Sequence, residues 1–591
     1  MLIVIALLVF IAWVYAPVRH ASFVWDDWLD FHDTAWLREG DAWKHYVFKD
    51  FNGWTNYFRP LGVLLFTAEV RLFDAQPGPM HVMSLILHLI NAGLVYAVAR
   101  RFERALAPEQ MPGLTPIVSM ALYGLHPALV ETVTWIGCQF EMLLVLFILL
   151  GLLAGMAVKR PWARAAAVSA CFFFAAGSKE SAAVFPLLLV IVDWTLQQRQ
   201  AGLSIGHRMR SLLGEHWPSY LSLALAGLLY LLIRHAALGT LLSPQVVVPL
   251  TLLGRVQEVC FLYLQNWRML LWPMSGMGPI HPVAVSTFNQ LTIGSALSCA
   301  ASMGLVGIGA WRLLCRPPGV GTVVSAITIA LLPVLHLIAA DFDSSLYHER
   351  YVMTALATGC VLLPVTRPLF GRLQLGALPR HLVPAALCGL WLMVSVVNVR
   401  VTIPLWSNDV NLWRWALEQH PDALDAKENL LSAYLRVRDS ARAHALIERL
   451  AGEKPTCANC MLNAAILAIR ENDSAAAQRY LSLVKDSKAL TVDRQMYGKY
   501  LLTTGQMLFL QGKVDDSAEV LTAAMSVETH DPEPALSLAV VEARRGHCDN
   551  SIALADQGLA LVPLSERESR RKEIEEEARR QALAGESCRK P

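Results

Sequence analysis

Two adjacent carboxylates lie just beyond the first apolar stretch of the chain, in the run Trp25-Asp26-Asp27-Trp28. Charged groups next to lipid are costly unless they have a function. Neighbouring carboxylates also raise each other's pKa, which suits a general base that removes a proton from a hydroxyl group. We therefore expect Asp26 and Asp27 to be functional. The alternative is a solvated loop in which the acids only cap helices.

Further ionisable side chains recur at later turns that the apolar pattern assigns to the same membrane face. They are Arg59, His126, Glu131, Glu141, Lys179, Glu180, Tyr347, His348, Glu349 and Arg350. Arginine binds phosphate through paired hydrogen bonds, so Arg350 is a candidate phosphate ligand. Simpler interpretations stay open: Lys179 can pair with Glu180, and Arg350 can extend towards interfacial water. Convergence of these groups on one face predicts a site for a lipid-linked phosphate and an external acceptor.

The elements that must position these residues are membrane helices. The 591 residues are 55% hydrophobic and only 17% charged, with a mean hydropathy of +0.41, whereas soluble proteins carry about 25% charged residues. This composition predicts an all-α protein with a polytopic membrane domain over residues 1–401. Eleven spans are expected, near residues 1–19, 80–99, 117–133, 137–157, 165–178, 182–197, 217–233, 293–315, 321–340, 351–366 and 382–401.

The distribution of basic residues predicts the orientation of these spans. Arginine and lysine concentrate in alternate loops, for example at Arg100 and Arg101 and again at Lys159 and Arg160, which the positive-inside rule places in the cytoplasm. The amino terminus is then inside, whereas the first loop, residues 20–60, and everything after residue 401 are outside. Residues 256–273 are apolar but interrupted by polar side chains, so we expect an interfacial or re-entrant helix there.

Residues 402–563 lack an apolar run of the roughly 20 residues that a span requires. Similar Asp-Ser-Ala or Asp-Asn-Ser stretches begin at Asp439, Asp473, Asp516 and Asp549, at spacings of 34, 43 and 33 residues. Each is expected to begin a helix with an Asp or Ser cap. A period near 34 with paired helices is typical of tetratricopeptide (TPR) repeats, which stack into a solenoid with a concave binding surface. The charged residues 564–591 predict a capping helix or tail.

Several function classes are disfavoured. The net charge of +2 provides no global field for nucleic acid, and the chain contains no P-loop, glycine-rich nucleotide motif or zinc pattern. We therefore predict no metal ligands among the site residues and no certain cofactor, although a divalent metal at the donor phosphate is left open. Cys457 and Cys460 form a lone C-x-x-C, and the sequence does not decide whether they form a disulfide.

The ordered set of motifs resembles the transmembrane and TPR-repeat O-mannosyltransferases and their bacterial relatives, in the GT-C glycosyltransferase superfamily. The resemblance rests on Phe23-Val24-Trp25-Asp26-Asp27, Phe58-Arg59-Pro60-Leu61, Leu125-His126-Pro127 with Glu131 and Trp135, Ser178-Lys179-Glu180, and His348-Glu349-Arg350-Tyr351. It covers nearly the whole chain. Relatives often carry an Asp after a basic pair where this chain has Gln139-Phe140-Glu141, which puts a role for Glu141 in doubt.

The resemblance implies an inverting transfer of mannose or another hexose from a polyprenyl-phosphate donor to Ser or Thr hydroxyls of extracytoplasmic proteins. It implies Asp26 as the base and Asp27 as its neighbour or as a residue that positions the substrate. It also implies phosphate binding by Arg350, His348, Tyr347, Arg59 and Lys179. His126, Glu131, Glu141, Glu180 and Glu349 are further candidates, and the TPR groove is expected to bind the protein acceptor.

Two other functions are left open by the sequence: transfer of the same sugar to a glycolipid or polysaccharide, and a non-catalytic TPR scaffold. We expect a bacterial inner membrane with the repeats in the periplasm. The alternative is the endoplasmic reticulum membrane with lumenal repeats.

Overall fold

The structure is a computed structural model. It describes residues 2–33, 41, 43–44, 47–49, 57–106, 113–197, 204–241, 250–337, 345–366, 382–454, 456–527, 531–562 and 564–584. Much of the predicted first loop, and the segment before Ser345, therefore lie outside the described residues. Within those ranges every regular element is a helix, and one isolated bridge pairs Pro282 with Ser345. The all-α prediction is confirmed for the described chain.

The chain forms two compact units. The first comprises residues 1–31 and 41–416. Its helices are α1 Leu2–Tyr15, α2 Pro60–Phe73, α3 Pro77–Leu106, α4 Thr115–Gly124, α5 Val130–Thr134, α6 Gln139–Ala157, α7 Pro161–Ser178, α8 Phe185–Gln197, α9 Ile205–Leu238, α10 Leu252–Leu271, α11 Ile293–Cys315, α12 Val320–Leu331, α13 Met353–Leu362, α14 Leu382–Thr402 and α15 Asp409–Gln419, whose last turn crosses into the second unit.

Membrane character is clear in this unit. Seven of the described helices are long and apolar enough to cross a bilayer, and the pair Thr115–Gly124 and Pro127–Thr134, bent by 49°, makes an eighth if it is one span. The predicted spans 165–178 and 351–366, and residues 321–334 of the predicted span 321–340, are helical but are not among these. Residues 335–337 form a turn. Eleven spans therefore stay a prediction. Residues 256–271 of the predicted 256–273 segment lie within one continuous helix, α10, which ends at Leu271.

The first unit extends beyond the last apolar span. Hydropathy places its end at residue 401, whereas residues 402–416 pack within it. Trp406 and Trp413 are among its largest fully buried side chains, and Leu412 is also buried. A hydropathy criterion cannot detect this segment, because its helix buries only one face and lacks a long apolar run.

The second unit consists of successive helical pairs. Its helices are α16 Leu424–Arg436, α17 Ser440–Ala451, α18 Ala458–Arg470, α19 Ser474–Val484, α20 Lys488–Val492, α21 Arg494–Leu510, α22 Val514–Val527, α23 Glu533–Arg545, α24 Cys548–Leu561 and α25 Leu564–Ala584. Four hairpins follow each other: α16 with α17, α18 with α19, α21 with α22, and α23 with α24.

Two of the four predicted aspartate caps are present at the start of the second helix of a hairpin. The predicted caps form at Asp439 and Asp473, whose carboxylates accept the N–H groups of Arg442 and Ala476. Asp516 and Asp549 instead lie in the first turn of helices that begin earlier, where a negative charge still favours the helix dipole.

Two serines of the recurrent motif also make the same contact. Ser517 donates to the carbonyl oxygen of Gly505 and Ser551 to that of Ala539, each at 2.7 Å. In both hairpins the second helix is thus bonded to the first at the same position. The charged segment forms α25, which packs on α23 and has an Arg570–Glu533 ion pair, while residues 585–591 lie outside the described residues.

Candidate functional site

The two adjacent aspartates occupy opposite environments. The Asp26 side chain is exposed, whereas Asp27 is completely buried. They follow Trp25, whose backbone has φ of 57°, in the left-handed region. A bulky residue rarely adopts this conformation, and where it does the surrounding structure must hold it there.

Asp27 attaches this loop to the break between α5 and α6. Its Oδ1 accepts the Gly137 N–H at 2.9 Å, and its Oδ2 accepts the N–H groups of Ile136 and Val24 at 3.4 Å. Burial raises the pKa of Asp27 well above its usual range, the three backbone hydrogen bonds lower it, and the nearby Asp30 charge raises it further. Asp27 is therefore a positioning group, and Asp26 is the carboxylate that a substrate can reach.

Trp25 is held by aromatic and polar contacts. Its ring stacks on Trp135, with centroids 4.8 Å apart and planes at 5°, and meets the edge of Trp413 at 5.0 Å. Its backbone N–H donates to Asp409 Oδ1 at 2.8 Å. These contacts fix the left-handed conformation of Trp25 and therefore the placement of the next residue, the exposed Asp26.

Arg350 links this aromatic group to an acid. Its guanidinium lies 4.8 Å from the centroid of Trp135 and 5.0 Å from that of Tyr351. It forms a short ion pair with buried Glu131, whose other oxygen accepts the Arg350 N–H at 2.8 Å. Glu131 thus compensates the Arg350 charge and fixes the start of the segment that carries it.

His348 and Glu349, the two residues before Arg350, are both buried. Burial and the nearby Arg350 charge lower the pKa of His348 well below its usual value, so its ring is neutral. Glu349 accepts the Gly278 N–H and faces His281 Nε2, each at 2.9 Å. Burial raises the pKa of Glu349, but His281 and the backbone donors outweigh it and keep it below the usual value.

Tyr347 belongs to the same network. Its ring stacks on His281 with centroids 4.3 Å apart, and its hydroxyl accepts a hydrogen bond from Gln265 Nε2 at 2.8 Å. These contacts attach the 345–351 segment to α10 through Gln265 and to the chain that follows α10 through His281. Tyr347 is therefore placed to support the site, with its hydroxyl already bonded to protein.

A second set of ion pairs adjoins the first. Lys179 forms a short ion pair with Glu141, and its ammonium lies 5.5 Å from the Tyr351 centroid. The same ring faces Arg350, so Tyr351 separates the two cations. Next to them, Glu180 pairs with Arg59 at 3.3 Å and with Arg234 at 3.2 Å. The predicted candidates from the first loop, the α6 start and the α7–α8 turn thus converge with those of the 347–351 segment.

His126 is used differently. Its Nδ1 accepts the Ala128 N–H at 3.3 Å, and its Nε2 lies 3.1 Å from the carbonyl oxygen of Leu270. Because both ring nitrogens are bonded to backbone, this side chain holds α10 against the α4–α5 bend. No substrate role follows from its position.

Sequence reasoning missed two members of the network, Arg234 and His281. Arg234 lies beside His235 near the end of an apolar helix, and an arginine at the end of a span is the available signal. His281 follows a proline-rich turn with no recognisable spacing to its partners.

The described site acids provide no assembled metal centre. Glu131, Glu141 and Glu180 each face a cation, which leaves their oxygens poorly disposed to bind a second positive charge. Within the described residues, the one group of potential metal ligands is Glu428 with Cys457 and Cys460 in the second unit. There the two cysteines are joined in a disulfide, so their sulfurs are not thiolate ligands.

Comparison of the chain with protein-family models, with curated proteins and with solved structures finds no match. The function is therefore argued from the geometry described above.

Proposed function

We propose that the first unit is a GT-C-type glycosyltransferase that moves a hexose from a polyprenyl-phosphate donor to a hydroxyl group on an extracytoplasmic protein. The observation that carries this proposal is the presentation of Asp26: an exposed carboxylate follows a strained, fully anchored tryptophan beside a cluster of cations. Backbone strain held by surrounding contacts is a recurrent property of functional sites.

The chemistry fits this arrangement. A Ser or Thr hydroxyl is a poor nucleophile unless a base removes its proton during attack, which is the role of Asp26. The leaving phosphate carries negative charge, which positioned guanidinium and ammonium groups stabilise. Arg350, Arg59 and Lys179 supply such groups, while His348 and Tyr347 support the segment that carries Arg350. Glu131, Glu141 and Glu349 hold the cations and the adjoining loops in place, while Glu180 neutralises charge on Arg59.

We further propose that the helical pairs of the second unit are TPR repeats whose concave face holds the protein acceptor. The recurrent aspartate positions and the repeated serine contacts support this assignment. The expected setting is a bacterial inner membrane crossed by about eleven helices, with the repeats in the periplasm.

The test is intact-mass spectrometry of extracytoplasmic proteins from cells with the wild-type chain, without it, and with Asp26→Asn. We expect hexose-sized additions to disappear both in the deletion and in the Asp26→Asn strain. Asp41→Asn is the matched control, because Asp41 is another exposed loop carboxylate, paired only with Lys44 among the described residues. It should retain the additions.

Two results would contradict parts of the proposal. If surface glycolipid changes and no protein changes mass, the acceptor is a lipid or polysaccharide. If the Asp26→Asn chain fully rescues the effect of the deletion, Asp26 is not the base and the scaffold function gains support.

A further inference from the structure

Glu180 lies between two arginines that come from distant parts of the chain. Its Oε2 accepts hydrogen bonds from Arg59 Nε and Nη2 at 3.4 and 3.3 Å, and its Oε1 accepts one from Arg234 Nη1 at 3.2 Å. Each carboxylate oxygen thus faces a different guanidinium. A phosphate group presents oxygens with a similar disposition and charge.

The exposure of these three side chains is the reverse of an ordinary surface ion pair. The Glu180 side chain is 34% exposed, whereas Arg59 and Arg234 are 11% and 8% exposed. Long basic side chains normally extend their charged ends to water. Here the acid is the most exposed of the three side chains, so an incoming anion reaches Glu180 before it reaches the two arginines.

Both guanidiniums are held by contacts that do not involve Glu180. Arg59 lies 3.9 Å from the centroid of the Tyr57 ring and 4.9 Å from that of Phe140. Arg234 Nε donates to the carbonyl oxygen of Leu241 at 3.3 Å, and the residue lies near the end of an apolar helix long enough to span a bilayer. If Glu180 moves away, the two cations stay in place at the end of a span, where lipid phosphates lie.

The charge balance favours a further anion. Arg59, Arg234 and Lys179 all act on the Glu180 carboxylate, and Lys179 also pairs with Glu141. Among these described side chains, three cations face two carboxylates. Exchange of Glu180 for a phosphate in the same position would improve this balance.

We propose that Glu180 is an internal anion that occupies the site of the ligand's phosphate group, and that the phosphate displaces it to bind Arg59 and Arg234. This inference rests on the proposed function in one respect: it takes the phosphate to be that of the polyprenyl-linked donor. Competition by Glu180 weakens binding of the released polyprenyl phosphate and so assists product release. Arg234 becomes a phosphate ligand that the sequence did not indicate.

The test measures affinity for polyprenyl phosphate, which needs no transfer reaction, with the full chain in nanodiscs. Glu180→Gln should tighten binding and Arg234→Gln should weaken it, each by about tenfold, since a hydrogen bond to a charged group is worth that factor. Glu180→Asp should lie between the wild type and Glu180→Gln. Glu215→Gln, 19 residues before Arg234 on the same helix, is the matched control and should not change the affinity.

The opposite signs separate this mechanism from a structural ion-pair network, in which loss of either partner would weaken binding. A fall in affinity for Glu180→Gln and Glu180→Asp alike, with unchanged unfolding temperatures, overturns the proposal. Inorganic phosphate and phosphatidylglycerol are tested in parallel. Opposite shifts with these alone would keep the anion site but overturn the donor as its source. Opposite shifts with polyprenyl phosphate in a chain that shows no sugar transfer would support this site and contradict the proposed function.

Discussion

At the scale of single residues, adjacent acids of the same type have different functions because the backbone places them differently. Asp27 points inward to three N–H groups, and Asp26 points outward. We expect Asp27→Asn to destabilise the protein by about 1–2 kcal/mol, because one amide orientation or the other sets an N–H donor against another N–H donor. Thermal unfolding in detergent checks this, and Asp26→Asn should leave the unfolding temperature unchanged.

The raised pKa of Asp27 also predicts how the stability of the protein depends on pH. Because the pKa of Asp27 is raised in the folded protein, the folded state binds the proton more tightly than the unfolded chain, whose aspartate titrates at about 4. Lowering the pH from neutral towards that value therefore stabilises the wild type. The Asn variant should lose this component. Equal pH dependence of the two proteins would contradict a raised pKa for the buried Asp27 carboxyl group.

At the scale of elements, the site depends on how closely α2 approaches α6. A Cβ added at Gly62 would overlap the Phe140 ring, whereas one added at Gly93 on α3 meets nothing within 4 Å. Phe140 also packs against Phe66 and lies under the Arg59 guanidinium. We expect Gly62→Ala to destabilise by about 1–3 kcal/mol through overpacking and to lower transfer activity by displacing Arg59.

Gly93→Ala is the matched control for this substitution. Alanine has the higher helix propensity, so the variant should be neutral or more stable by up to about 1 kcal/mol. Unfolding temperature and transfer rate of the two variants, measured side by side, check the prediction. Gly62→Ala with wild-type stability and activity would show that α2 can shift without disturbing the site.

These elements also show what the sequence can and cannot predict. Apolar runs predict helices and place polar turns at their ends, which is why Glu131, Lys179 and Arg350 were identified as neighbours on one face. Their pairing was not predictable, because contacts between residues far apart in the chain depend on helix packing. The sequence left a pair between Lys179 and Glu180 open, whereas the structure pairs Lys179 with Glu141 and gives Glu180 two arginines.

At the scale of the whole molecule, cysteine chemistry differs between the two units. Among the residues that the structure describes, the free cysteines all belong to the first unit, while Cys457 and Cys460 in the second unit are joined in a disulfide. Disulfides persist in oxidising compartments such as the periplasm or the endoplasmic reticulum lumen. The disulfide therefore agrees with the location outside the cytoplasm that the positive-inside rule predicts for the second unit. The two arguments are independent, because one uses the charge of the loops and the other uses thiol chemistry.

A topology measurement decides whether this agreement is meaningful. Alkaline phosphatase fused after Pro591 should be active, because it folds only outside the cytoplasm, and the same fusion after Lys159, between α6 and α7, should be inactive. Green fluorescent protein at the two positions should give the reverse pattern. A cytoplasmic second unit would separate the helical pairs from the face on which Asp26 and the cations are proposed to act. The acceptor-binding role would then be contradicted even if Asp26→Asn abolished transfer.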